Sequence, residues 1–146
     1  MTVKNKYKNK YFSILGDSIS TLDGYTRPDH ASFYEGAIKL ESEVIFVEDT
    51  WWGQVVEALG GSVLVNNSIA GSMVAKHRSC IAETYGCSQE RIADLKQEQI
   101  CPDVIMIFMG YNDWGCGARL RHEGDSTDIS VFEVAYRKML TRVKES

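Results

Sequence analysis

Three short apolar runs read as buried strands: Tyr11 to Leu15 (YFSIL), Ser62 to Val65 (SVLV) and Asp103 to Met109 (DVIMIFM). The last is continuously apolar from Val104 onward instead of alternating, the pattern of a strand covered on both faces. Each run stops at a loop rich in Gly, Ser, Asn or Asp. Between the runs the period becomes helical. Trp51, Val55, Val56 and Leu59 share one face and end at Gly60-Gly61, where glycine can adopt the left-handed cap conformation. A second helix is expected from about Gln89 to Gln99, with Ser88 as N-cap and Ile92 and Leu95 pointing inward. A third is expected from Ser130, with Glu133 as capping-box partner and Phe132, Ala135, Tyr136, Met139, Leu140 and Val143 as its apolar stripe. Strand and helix alternating in this way imply an α/β fold, a parallel sheet with right-handed crossovers and helices on both faces. The stretch from Asp23 to Glu43 has no clear period and is longer than connecting loops usually are, so it is either functional or ordered by its neighbours.

Composition narrows the class. At 146 residues, 44% hydrophobic and 25% charged, the chain reads as one globular domain, residues 1–146, whose core needs no disulfide or metal staple. A net charge of -4 argues against a nucleic-acid surface, which needs a clustered cationic excess. The basic positions Lys4, Lys6, Lys8 and Lys10 read as a solvated arm. The start lacks the apolar core of a secretory signal and no run approaches a membrane span, so the expectation is a cytoplasmic chain with no membrane partner. The four cysteines, Cys80, Cys87, Cys101 and Cys116, form no C-x-x-C pair and have no histidine at metal-ligand spacing. Free thiols, no metal and no cofactor are therefore expected.

Ligand sites in parallel α/β sheets lie beyond the carboxyl ends of the strands. Here those positions hold Gly16-Asp17-Ser18, then Asn67-Ser68-Ile69-Ala70-Gly71, then Gly110-Tyr111-Asn112-Asp113. Each loop alone is ordinary: Ser18 could cap a turn, Gly71 could serve a left-handed backbone angle, Asn112 could make an Asx turn. Together they offer a hydroxyl nucleophile, a glycine amide and an asparagine amide, the parts that acyl transfer requires. A flavodoxin-like cofactor binder would want a phosphate-cradling loop after the first strand, and Asp17 stands against that.

These three blocks resemble those of the SGNH hydrolases, or GDSL-type esterases and lipases, in order and in placement. The resemblance covers about residues 11 to 140 and implies a three-layer, flavodoxin-like SGNH fold. It implies Ser18 as nucleophile, with the Gly71 backbone N–H and the Asn112 side-chain amide forming an oxyanion hole together with the Ser18 amide. Such donors contribute roughly 3–4 kcal/mol each in the transition state. Asp17 and Asp113 are expected to buttress the loops. The implied substrate is a small-molecule ester, of a short acyl group or a sugar. Trp52, Tyr111 and Trp114 are candidate substrate contacts, with Trp52 read equally as core.

The family draws its base from a fourth block, Asp-x-x-His, which does not occur in this sequence. None of His30, His77 and His122 stands in such a context, although His122, with Asp125 and Asp128 nearby, is one local candidate for a base and His30 another. The third strand would be a sheet edge if the first lies in the middle, and an exposed VIMIFM edge invites pairing. The expectation is that the 146 residues are the N-terminal portion of a longer hydrolase; the alternative is a homodimer whose second copy covers that edge. An inert, ligand-binding SGNH-like module is the competing functional reading.

Overall fold

The computed structural model describes residues 6–78, 85–121, 124 and 127–146. The chain divides into two compact units: Met1–Ala70 with Leu95–Phe108, and Gly71–Asp94 with Met109–Ser146.

The first unit holds the sheet. Its strands β1 (Tyr11–Gly16), β2 (Ser62–Ser68) and β3 (Val104–Phe108) are all parallel and ordered β2-β1-β3. The first strand is therefore the middle one, and its burial is nearly continuous. β3 departs from its sequence pattern. Its residues are half-buried, and Phe108 is 45% exposed, because β3 pairs only with β1 among the described strands. β2 runs three residues further than its apolar run, since Asn66, Asn67 and Ser68 continue the ladder opposite Ile14, Leu15 and Gly16. Lys10 and the Tyr11 amide both reach the Asp103 carboxylate, at 2.7 and 2.9 Å, and tie the starts of β1 and β3 together.

The stretch from Asp23 to Glu43 contains one short helix, α1 (Gly36–Glu41), with no buried residue. Helix α2 (Trp51–Leu59) is capped by Thr50, whose hydroxyl accepts from the Gly53 amide, and ends at Gly60 with φ 72°. Its buried residues are Trp52, Gly53 and Val56, whereas Val55 is exposed, so the inward face is rotated from the one read in the sequence. Gly53 causes this: a Cβ there would stand 1.9 Å from the Val47 carbonyl oxygen, and its absence lets that face close down. Trp52 then packs with Ile14 and Leu22, flanked by Tyr34, Val44, Val47, Val63 and Met106.

The second unit, among its described residues, is helix and loop. α3 (Gln89–Ala93) is capped by Ser88 as expected but stops after five residues, well short of Gln99. Ile92 and Leu95 are both buried as the spacing requires. In the first unit, the Leu95 carbonyl is taken at 2.8 Å by the Ser13 hydroxyl, and Gln97 and Ile100 exchange backbone hydrogen bonds across a tight turn. Those bonds replace the helical ones. α4 (Tyr111–Gly115) follows Gly110, whose φ of 126° excludes other residues. α5 (Phe132–Glu145) buries Ala135 and Met139. The expected Ser130–Glu133 capping box is not formed. The N-cap is Val131, the Ser130 amide is held by Asp128, and Glu133 pairs instead with Arg137 and Arg121. No helix among the described residues is long and apolar enough to cross a membrane.

Candidate active site

In the first unit, β1 ends at Gly16 and the chain turns at once into a 3-10 turn, Ser18–Ser20. Asp17, fully buried, is its cap: Oδ1 accepts from the Ile19 amide at 3.1 Å. The capping role that Ser18 could have filled is thus taken by its neighbour. Ser18 is half-buried, and its carbonyl accepts from both the amide and the hydroxyl of Thr21. The turn is held from beneath by Ser20, whose Oγ accepts from Trp51 Nε1 at 3.0 Å and whose carbonyl accepts from Trp52 Nε1 and Asn66 Nδ2, both at 2.9 Å. A Cβ on Gly16 would stand 2.4 Å from the Ser20 Cβ and Oγ and 2.7 Å from Ser68 Oγ. Only glycine lets the turn fold back this tightly, so the residue before Asp17-Ser18 is a steric requirement of the site.

Trp52, expected either as a substrate contact or as core, is core. Its ring is fully buried in the core and its only polar atom is spent on the Ser20 carbonyl, so it offers no surface to a ligand. It fixes the turn that carries Ser18 instead. Tyr111 and Trp114 differ: they are 61% and 78% exposed, with ring centroids 6.0 Å apart.

Gly71 and Asn112 belong to the second unit. Gly71 has φ 77°, in the left-handed region. Asn112 makes no Asx turn; its Nδ2 donates to the Ser72 carbonyl at 2.9 Å, forty residues away in sequence. Because a carbonyl can only accept, this bond settles which end of the amide faces the loop. One N–H is thereby spent and the other is left with a defined direction. Asp113 buttresses the same loop: its two oxygens accept from the Val74 and Ala75 amides, each at 2.8 Å, and it is 2% exposed. Three hydrogen bonds therefore lock the block that contains Asn112 onto the segment that follows Gly71.

Two residues of this arrangement carried a signal that the sequence reading passed over. Arg91 is 1% exposed and its Nη1 donates to Ser72 Oγ at 2.9 Å. Ser88, Arg91, Ile92 and Leu95 fall at i, i+3, i+4 and i+7, so Arg91 occupies an inward position of the helical stripe. A charge at such a position was the clue to Arg91, and through it to Ser72.

Of the histidines, His30 lies on the loop after Ser18, with Nδ1 3.3 Å from the Ser68 carbonyl, a contact in which Nδ1 carries a proton and donates. His77 is half-buried, and His122, Asp125 and Cys80 lie outside the described residues. Cys87 is buried, and desolvation pushes its thiol up to about 11; Cys101 and Cys116 are exposed. Among the described residues no group of three or more His, Cys, Asp and Glu side chains is placed to hold a metal ion. Beside α4, a hollow of about 440 Å³ is lined by Gly110, Asp113, Trp114, Leu120 and Phe132, among others; Leu120 and Phe132 also border a hollow of about 620 Å³ along α5.

Residues 10–146 match a protein family described as GDSL-like Lipase/Acylhydrolase. Among solved structures, a protein of Bacteroides uniformis ATCC 8492 described as a GDSL-like lipase is 31% identical, with a TM-score of 0.74 over 94% of this chain and 66% of that one. A second, from Bacteroides ovatus ATCC 8483 and described in the same way, is 27% identical, with a TM-score of 0.72 over 94% and 68%. A Lactobacillus plantarum protein, 21% identical with a TM-score of 0.55, shares the fold, and the match covers 51% of its length. The chain thus spans about two-thirds of the two Bacteroides structures. No curated protein matches it.

Proposed function

The chain belongs to the GDSL-like lipase and acylhydrolase family, and from that membership we propose that it is a serine ester hydrolase with Ser18 as nucleophile and Gly71 and Asn112 as oxyanion donors. In the proposed reaction Ser18 Oγ attacks the ester carbonyl carbon, the C=O π electrons move onto oxygen, and the Oγ proton passes to a base. Collapse, with that proton returned from the base to the leaving oxygen, expels the alcohol and leaves an acyl group on Ser18, which water then removes as the carboxylic acid. The step that needs most from the protein is the oxyanion, because its charge must be met by donors already in place.

The observation that carries this reading is the set of three bonds between the third block and the segment that follows Gly71. With Asn112 Nδ2 committed to the Ser72 carbonyl and Asp113 holding the Val74 and Ala75 amides, Asn112 needs no reorganisation to present its second N–H. The substrate class proposed is a short acyl or carbohydrate ester. The exposed pair Tyr111 and Trp114 suits the face of a sugar ring, and the apolar hollow beside α4 suits a short acyl group.

A second reading, a ligand-binding module without turnover, draws on the absence of an Asp-x-x-His block from the 146 residues. Hydrolysis of p-nitrophenyl acetate, butyrate and octanoate by the chain and by Ser18→Ala separates the two. The esterase reading expects turnover that falls as the acyl group lengthens and that Ser18→Ala abolishes. Equal rates in the two proteins would remove Ser18 from the reaction.

A further inference from the structure

We propose that Arg91 and Ser72 form a positioning relay for Asn112, in which the buried guanidinium fixes Ser72 and Ser72 fixes the direction of the Asn112 amide. The inference deepens the reading of Asn112 as an oxyanion donor and rests on it. The relay has two bonds, Arg91 Nη1 to Ser72 Oγ and Asn112 Nδ2 to the Ser72 carbonyl, both 2.9 Å, and all three residues belong to one unit. Ser72 is fully buried and Arg91 nearly so.

A guanidinium in such a place is a costly choice. An apolar side chain of similar volume would fill the space without desolvating a charge. Among its contacts, Nη1 gives the Ser72 hydroxyl a strong, directional donor. Arg91 is itself held, because its amide donates to the Ser88 hydroxyl that caps α3. The loop's backbone, meanwhile, is already fastened at Val74 and Ala75 by Asp113. The bond to Ser72 falls two residues before that fastening. It sets the tilt of the Ser72 peptide, whose oxygen is the acceptor that orients Asn112. A small rotation of that peptide would carry the second N–H of Asn112 off the line it needs, and misplacement of this order costs about tenfold to a hundredfold in rate.

The test follows the Asn112 side-chain amide by ¹⁵N–¹H NMR in the 146-residue chain, assigned by its loss in Asn112→Asp. Ser72→Ala and Arg91→Met should speed hydrogen exchange of that NH₂ pair about fivefold to tenfold, the scale of one lost hydrogen bond. Arg91→Lys, which keeps a charged donor, should give a smaller increase, and the Val74 and Ala75 backbone amides should stay protected throughout. Met139→Ala, a cavity in α5, lowers the unfolding midpoint without touching the relay and should leave the pair unchanged. Unchanged exchange in folded Ser72→Ala overturns the proposal, as does the same acceleration in Met139→Ala. Should Arg91→Met not fold, Ser72→Ala, which removes a single oxygen, decides alone. On the same samples, a fall in kcat for p-nitrophenyl acetate with KM within about twofold supports the relay further. If Ser18→Ala hydrolyses that ester as fast as the parent, the esterase reading fails while the exchange result still decides the relay.

Discussion

At position 16 a single methyl group decides the site. Gly16→Ala would place a Cβ 2.4 Å from Ser20, which is pinned by Trp51, Trp52 and Asn66, so neither side can yield cheaply. A loss of about 1–3 kcal/mol is expected in urea unfolding, the usual scale for overpacking. Gly115→Ala, with nothing within 4 Å of the added carbon, should stay within about 0.5 kcal/mol of the parent or gain slightly. Asp113→Asn keeps the shape but replaces a carboxylate oxygen facing a backbone N–H with an amide. It should cost about 2–3 kcal/mol, in keeping with bonds to a charged acceptor. Cys87 gives a pH signature. Burial raises its thiol from the ordinary 9.0 to about 11, so the folded state holds the proton more tightly than the unfolded chain does. That contribution is complete below the ordinary value and is lost as pH rises from about 9 through about 11. The stability of the parent should therefore fall more steeply across that window than that of Cys87→Ala. Parallel curves would contradict the burial argument.

Helix ends show how far local pattern reaches. Ser88 and Ser130 look alike in sequence, each a serine before a helical stripe, yet only Ser88 caps, accepting from the Arg91 amide at 3.2 Å. Ser88→Ala should cost about 1 kcal/mol, and Ser130→Ala should change the unfolding free energy by no more than about 0.5 kcal/mol. The three strands and the glycine stop of α2 were legible because they depend on neighbours in the chain. The ends of α3 and β2 were not, since each is set from a distance: Ser13 takes the Leu95 carbonyl, and Asn66 to Ser68 find partners in β1. The rotated face of α2 rests on a glycine against a carbonyl, which no hydrophobic pattern encodes. The candidate site divides in the same way. Ser18, Gly71 and Asn112 stood out as loop chemistry after strands. The residues that orient them, Ser20, Ser72 and Arg91, act through bonds whose partners are 31 to 46 and 19 to 40 residues apart.

For the whole molecule, family membership and fold agree, and length frames the question that matters. The chain spans 66% and 68% of the two Bacteroides structures it matches, and its 146 residues contain no Asp-x-x-His. What they do contain is a tightly built turn at Ser18 in one unit and a locked pair of loops around Gly71 and Asn112 in the other. Everything proposed for this site turns on Ser18 as an esterase nucleophile. Fluorophosphonate labelling of the 146-residue chain, read by intact mass and peptide mapping, tests it most directly. One adduct is expected, on Ser18, absent from Ser18→Ala and slowed about a hundredfold or more in Asn112→Ala, the usual cost of a lost oxyanion donor. A folded chain that takes up no label, or a label that Ser18→Ala retains, would contradict it.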